Sequence, residues 1–185
     1  MKLNLARTLC RSAANGPGER FVVWVQGCPL GCPGCWNPDT WAFTPRLVRD
    51  VDDLAAEILS TEAIDGVTFT GGEPFAQARP LAELAHRVKL RGLSVFVFTG
   101  YDLHELRSDA AKRLLDVTDV LVAGRYVSER RTLTSPWLGS ANQRVHFLSD
   151  RHGPSDMTTA LEVRIDRDGT CTLTGFPADE WLTDG

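Results

Sequence analysis

Residues 21–37 read FVVWVQGCPLGCPGCWN. The run from Phe21 to Val25 is apolar throughout, β-branched or aromatic, as expected of a strand buried on both faces of a sheet. It leads straight into a loop where Cys28, Cys32 and Cys35 stand at CxxxCxxC spacing. Thiolates are the ligands of Fe–S clusters, and a four-iron cluster ordinarily takes four of them. With only three at hand, one iron keeps an open position at which a small molecule can bind and react. Gly31 and Gly34 let the backbone curl so that the sulfurs face inward. The spacing alone leaves other readings open: a zinc site or closed cluster completed by Cys10 or a histidine, or redox or unrelated thiols. Zinc would want a fourth ligand with its own spacing, and the chain has no second CxxC and no HxxxH to supply it.

Outward from this loop, strand and helix patterns alternate. Thr44 and Pro45 form a helix-start signal, followed by Leu47, Val51, Leu54 and Ile58 at helical spacing. A strand follows at residues 67–70. Leu81, Leu84, Ala85 and Val88 predict a second helix, stopped by Gly92 before a strand at residues 93–98. Residues 103–116 read as helix with a break at Ser108, residues 117–122 as a fourth strand and 144–148 as a short fifth. Ahead of all these, Asn15-Gly16-Pro17-Gly18 marks a loop, and Phe21 to Val25 is taken as the first strand. Such alternation implies parallel βαβ units whose strand C-termini share one face. Every unusual loop then lies on that face: the cysteines, Gly71-Gly72-Glu73-Pro74, and Thr99-Gly100-Tyr101. Four or five units are too few for a closed eight-stranded barrel, so the expected fold is α/β, a partial, open (β/α) barrel of parallel strands. Residues 161–174 alternate around Asp168-Gly169 and predict a C-terminal β-hairpin that covers the barrel edge or serves a partner.

The chain's 185 residues suit one domain, residues 1–185 with a core of about 14–150. Twenty Lys and Arg against 24 Asp and Glu give a net charge of -4, which argues against nucleic acid or anionic lipid as partners. No apolar run approaches the ~18 residues of a membrane span, and the start lacks a signal-peptide pattern, so a cytoplasmic protein is expected. Five cysteines, three of them clustered, do not make a disulfide framework. Cys10 and Cys171 read as structural.

The cysteine loop through Trp36-Asn37, followed by Gly71-Gly72-Glu73-Pro74 at the end of the next strand, resembles the radical S-adenosylmethionine (SAM) proteins. Asn15 to Arg20, Phe98 to Tyr101, Val120 to Val127 and Trp137 through His146 make it most similar to the activating proteins of anaerobic ribonucleotide reductase. The resemblance spans residues 14–148 and leaves the hairpin uncovered. It implies that Cys28, Cys32 and Cys35 ligate a [4Fe-4S] cluster whose open iron binds SAM. Gly34, Cys35 and Trp36 would meet SAM beside the cluster, and Gly71, Gly72, Glu73 and Pro74 its methionine amino group. Thr99 is a further contact or a strand cap, Glu73 a contact or a helix-start acid, and Tyr101 and His146 read as structural. No catalytic residue beyond cluster and SAM is implied. The implied activity is reductive cleavage of SAM to a 5'-deoxyadenosyl radical, which takes hydrogen from a glycine of a glycyl radical enzyme, with flavodoxin or ferredoxin as electron donor.

Two departures stand out: Ala123 precedes Gly124 where the family usually has Asp, and Asn15 replaces the Asp of the usual Asp-Gly-Pro-Gly loop. They keep open modification of a peptide or small metabolite, and a non-catalytic Fe–S electron-transfer or binding module.

Overall fold

The computed structural model describes residues 1–132, 134–165 and 167–175. The strands are β1 (Lys2–Ser12), β2 (Arg20–Val25), β3 (Leu47–Asp50), β4 (Gly66–Gly71), β5 (Ser94–Thr99), β6 (Val120–Ala123), β7 (Arg144–Phe147), β8 (Leu161–Ile165) and β9 (Cys171–Gly175). The helices are α1 (Val51–Ser60), α2 (Ala78–Lys89) and α3 (Asp109–Leu115). Seven strands form one sheet in the order β3-β1-β2-β4-β5-β6-β7, while β8 and β9 form a separate antiparallel pair. Strands β2, β4, β5 and β6 are parallel neighbours; β1, β3 and β7 join antiparallel.

The parallel strands advance in one direction across the sheet. Right-handed crossovers then put every connecting helix on the same face. Side chains sort accordingly: Phe21, Val23 and Val25 of β2 pack in the helix-side core with Leu54, Ile58, Leu81, Leu84 and Leu114. Val22 and Trp24, one residue out of phase, face the other way against Ala6 and Leu9. Phe96, Val120 and Val122 also lie on this helix-free side, under Trp137. Each fully buried Leu or Phe contributes roughly 1.5–3 kcal/mol.

Four expectations need correction. Residues 2–12 form a long strand that the turn-rich Asn15–Gly18 signal obscured; its alternation breaks at a register shift between Leu5 and Arg7. Residues 47–50, read as helix, instead pair with Lys2 to Leu5, and the helix starts at Val51 with Asp50 as its cap, accepting the Asp52 N–H. A partner strand outweighed the local Thr44-Pro45 signal. The stretch 103–116 does break at Ser108, whose hydroxyl accepts the Ala111 N–H at the start of α3, but the part before the break is only a 3-10 turn at Leu103–Glu105. The fifth strand is antiparallel, because among the described residues no α-helix lies between β6 and β7 to carry the chain back across the sheet.

Arg20 of β2 is wholly buried and donates to Thr68 Oγ1 (3.2 Å), Pro17 O (3.2 Å), Val67 O (2.6 Å) and Ser94 O (3.1 Å). Burial lowers its pKa to about 9, opposed by the charges of Asp119 and Asp65. A Cβ on Gly66 would lie 2.4 Å from the guanidinium, so that glycine makes the space. Replacing Arg20 by Leu strands several acceptors at once. Chemical denaturation should register a loss of about 3 kcal/mol or more, and a loss under about 1 kcal/mol would refute this role.

Candidate functional site

Strand β2 delivers its last residues to the cysteine loop. Gly27 and Cys28 donate their N–H groups to Thr40 O (2.8 Å) and Trp41 O (3.0 Å), which closes the loop on itself. Within it, Cys35 N–H reaches Cys32 O (3.1 Å), and Gly31 and Gly34 take positive φ of 56° and 71°. All three thiols are free and partly exposed. Burial pushes the Cys28 thiol up, against the backbone N–H groups of Leu30 and Gly31. Asn37 N–H points at Cys35 Sγ (3.4 Å), the kind of donor that tunes a cluster-bound sulfur.

The glycine loop at the end of β4 is fastened to this segment. Gly72 N–H bonds to Val25 O (2.8 Å) and Glu73 N–H to Gly27 O (2.9 Å). Side chains are excluded there: a Cβ on Gly72 would lie 2.4 Å from Gly27 O, and one on Gly71, at φ 96°, would lie 2.8 Å from Trp24 Cα. Glu73 is buried; Oε1 accepts from Phe75 N–H (2.9 Å) and the Thr99 hydroxyl (2.8 Å), and Oε2 from Gly100 N–H (2.9 Å). Its carboxylate thus ties the ends of β4 and β5 together, and Thr99 is spent on the same tie. Pro74 is buried at the start of the 3-10 turn Pro74–Gln77.

A cavity of about 320 Å³ opens between these loops on the helix-free face of the sheet. That volume lies within the range of small-molecule sites. Cys28, Cys32, Cys35, Trp36, Gly71, Gly72, Glu73 and Thr99 line it together; of the expected site residues, Gly34 and Pro74 are not among its lining. Trp36 packs edge-on to Tyr126 (6.1 Å) with the Arg131 guanidinium 5.4 Å over its ring.

Several lining residues escaped the sequence reading. Arg7 reaches in from β1, stacked 4.6 Å over Trp24 and donating to Asn37 Oδ1 (2.9 Å). Asn15, Tyr126 and Gln143 also line the cavity, as do Leu173, Thr174 and Gly175 of β9. Asn15, Tyr126 and Gln143 lie in stretches that carry the family resemblance, but of these only Asn15 stood out by itself.

Among the described residues no three Cys, His, Asp or Glu groups are set to hold a metal ion. A four-iron cubane is itself several ångströms across, so its thiolates stand wider apart around a shared space. Three free thiols facing one open cavity, with a backbone donor on one sulfur, fit such a group.

Fold, thiols and glycine loop together define a radical SAM iron–sulfur protein, and residues 14–146 match the 4Fe-4S single cluster domain family. Curated relatives named anaerobic ribonucleoside-triphosphate reductase-activating protein are similar over most of their length. That of Escherichia coli K12 is 32% identical over 148 residues, covering 72% of this chain and 92% of the relative. Those of Vibrio cholerae serotype O1 and Enterobacteria phage T4 are each 35% identical, covering 71% and 74% of this chain and 90% and 88% of the relatives. The chain belongs to this family of activating proteins. The crystal structure of QueE from Escherichia coli aligns with a TM-score of 0.45 at 21% identity over 54% of this chain and 53% of that one, a likeness too loose to carry an argument. Among the described residues no helix is long and apolar enough to cross a membrane.

Burial pushes the Glu73 carboxyl up to about 7, against the three donors that favour its ionised form. Between about pH 4.5 and 7 the folded chain therefore holds a proton that the unfolded chain has lost, and stability falls as pH rises through that window. The full span is of order 3 kcal/mol. Denaturant titrations of the iron-free protein from pH 5 to pH 8 should show this slope, and Glu73→Gln should flatten it.

Proposed function

We propose that Cys28, Cys32 and Cys35 hold a [4Fe-4S] cluster, that SAM binds at its open iron, and that the chain activates a partner enzyme by removing hydrogen from a backbone glycine. The observation that carries this reading is the shared cavity, where the thiols meet the glycine loop. Bound together, cluster and SAM would supply the one-electron redox chemistry: reductive cleavage of SAM coupled to removal of a hydrogen atom from the partner's glycine.

The chain's own residues bind and orient. Gly71 and Gly72, lacking side chains, let the backbone come close to the SAM amino group, with Glu73 and Pro74 fixing the loop's course. Gly34, Cys35 and Trp36 would contact SAM beside the cluster, and the Thr99 hydroxyl holds the Glu73 carboxylate in place. Trp24, Phe98 and Trp137 give the cavity apolar walls that exclude water. The open sheet is read as the partial barrel of a single radical SAM domain with its core at residues 14–150; residues 176–185 of that domain lie outside the described residues.

The partner reading rests on the relatives' names, which specify activation of anaerobic ribonucleoside-triphosphate reductase. A flavodoxin or ferredoxin is the proposed electron source, and a reducing cytoplasm the proposed setting, since exposed thiols there stay free.

Anaerobically reconstituted protein should convert SAM to 5'-deoxyadenosine under reducing conditions and, given the reductase, produce an organic radical visible by electron paramagnetic resonance. Cys32→Ala should abolish the four-iron spectrum and SAM cleavage together. Retention of both would contradict the ligand assignment.

A further inference from the structure

The β8–β9 hairpin lies outside the matched stretch 14–146 and, among the described residues, makes no strand pairing with the main sheet, yet it forms part of the cavity. Its register sets Glu162 opposite Thr174, so both project from the same side. That side meets the turn after β1. The Glu162 carboxylate accepts from Ala13 N–H (3.0 Å) and from the hydroxyl of fully buried Ser12. Asn15 Nδ2 donates to Ser12 Oγ (2.7 Å) and to Thr174 Oγ1 (2.9 Å). Four side chains thus close a ring: Asn15 to Ser12 to Glu162 on β8, and Asn15 to Thr174 on β9.

The ring has a direction that suits asparagine. The amide supplies two donors, and Ser12 passes a proton donor on to a carboxylate. An aspartate at residue 15 would offer none and would set a second negative charge beside Glu162. Backbone contact is equally close: Gly175, at φ 101°, leaves no room for a Cβ, which would fall 2.3 Å from Ala160 O and 2.6 Å from Ala14 Cβ. Beyond this anchored base the opposite side carries Val163, Ile165 and Leu173, 49%, 72% and 59% exposed. Leu173 therefore both lines the cavity and faces solvent at its mouth.

We propose that the hairpin is a latched wall of the cavity mouth that positions an entering polypeptide segment over the SAM site. Glu162 and Thr174 are positioning residues, acting through Ser12 and Asn15. This rests on the functional reading above. A protein substrate must reach the cavity as an extended segment, and Leu173 gives it an apolar rail continuous with the lining. With the wall in place the segment is held over the SAM site; with it loosened, the segment is held there less often.

Glu162→Ala removes the latch without touching the cavity lining, Glu162→Gln restores an acceptor for Ala13 N–H, and Thr174→Val breaks the second anchor. Hydrogen–deuterium exchange over residues 161–175 reports the latch, and the yield of partner radical per 5'-deoxyadenosine, with anaerobic ribonucleoside-triphosphate reductase as substrate, reports positioning. Glu162→Ala should speed exchange, leave SAM cleavage within about twofold, and lower the radical yield per cleavage about fivefold or more, with Glu162→Gln intermediate; Thr174→Val should lower that yield likewise. Unchanged exchange in both single variants would remove the latch. Faster exchange with an unchanged yield would remove the positioning role, and a matching loss of SAM binding in Glu162→Ala would make the hairpin part of the SAM site instead. Absence of 5'-deoxyadenosine from the unaltered protein strikes the functional reading itself, whereas an unchanged yield with SAM cleavage intact strikes the hairpin alone.

Discussion

Two backbone hydrogen bonds, from Gly72 N–H to Val25 O and from Glu73 N–H to Gly27 O, hold the glycine loop against the root of the cysteine loop. They require a backbone approach so close that no side chain fits at Gly71 or Gly72. The parallel ladder runs through Trp24 opposite Thr70 and Val25 opposite Gly71, so the two loops leave the sheet side by side. Everything proposed for the site depends on that adjacency. Thiols 43 residues upstream of the glycine loop, from Cys28 to Gly71, come to share one cavity because two neighbouring strands end at the same height.

The choice of face follows from the winding. Strand order β2-β4-β5-β6 moves one way, so α1, α2 and α3 all cover one side and leave the other to aromatic side chains and the cavity. The strict alternation in β2 serves both sides at once: Phe21, Val23 and Val25 stabilise the helix layer, while Val22 and Trp24 shape the helix-free face. Charge within this frame is handled by backbone donors and neutral acceptors. Buried Glu73 is met by two N–H groups and a hydroxyl, and buried Arg20 by carbonyl and hydroxyl oxygens. Among the described residues neither makes a directly bonded ion pair, and burial displaces both pKa values toward the neutral form.

The relatives' coverage of about nine-tenths of their own length ties the chain to a family of small activating proteins. A small protein has few walls of its own to build around a reactive centre. Here the hairpin adds one, anchored where this chain carries Asn15, and the amide does there what a carboxylate could not. Ala123, the other departure from the usual pattern, is buried in the helix-side core with the apolar residues around it.

By itself the sequence determined the α/β class, the four parallel strands, the hairpin and, from the cysteine and glycine loops, Cys28, Cys32, Cys35, Trp36, Gly71, Gly72 and Glu73 as a group that comes together at the cavity. Each of these is written in local terms: apolar runs, a 3.6-residue period, Asp168-Gly169 at a turn, thiols within one loop. Tertiary structure decided the rest. Residues 47–50 became a strand because Lys2 to Leu5 offered an edge to pair with, an option that local helix signals cannot register. Strand β7 turned antiparallel for want of a helix to carry the chain across. Arg7, Tyr126, Gln143 and the end of β9 joined the cavity from four separate regions of the chain, since side chains far apart in sequence converge only when packing brings their strands and loops together.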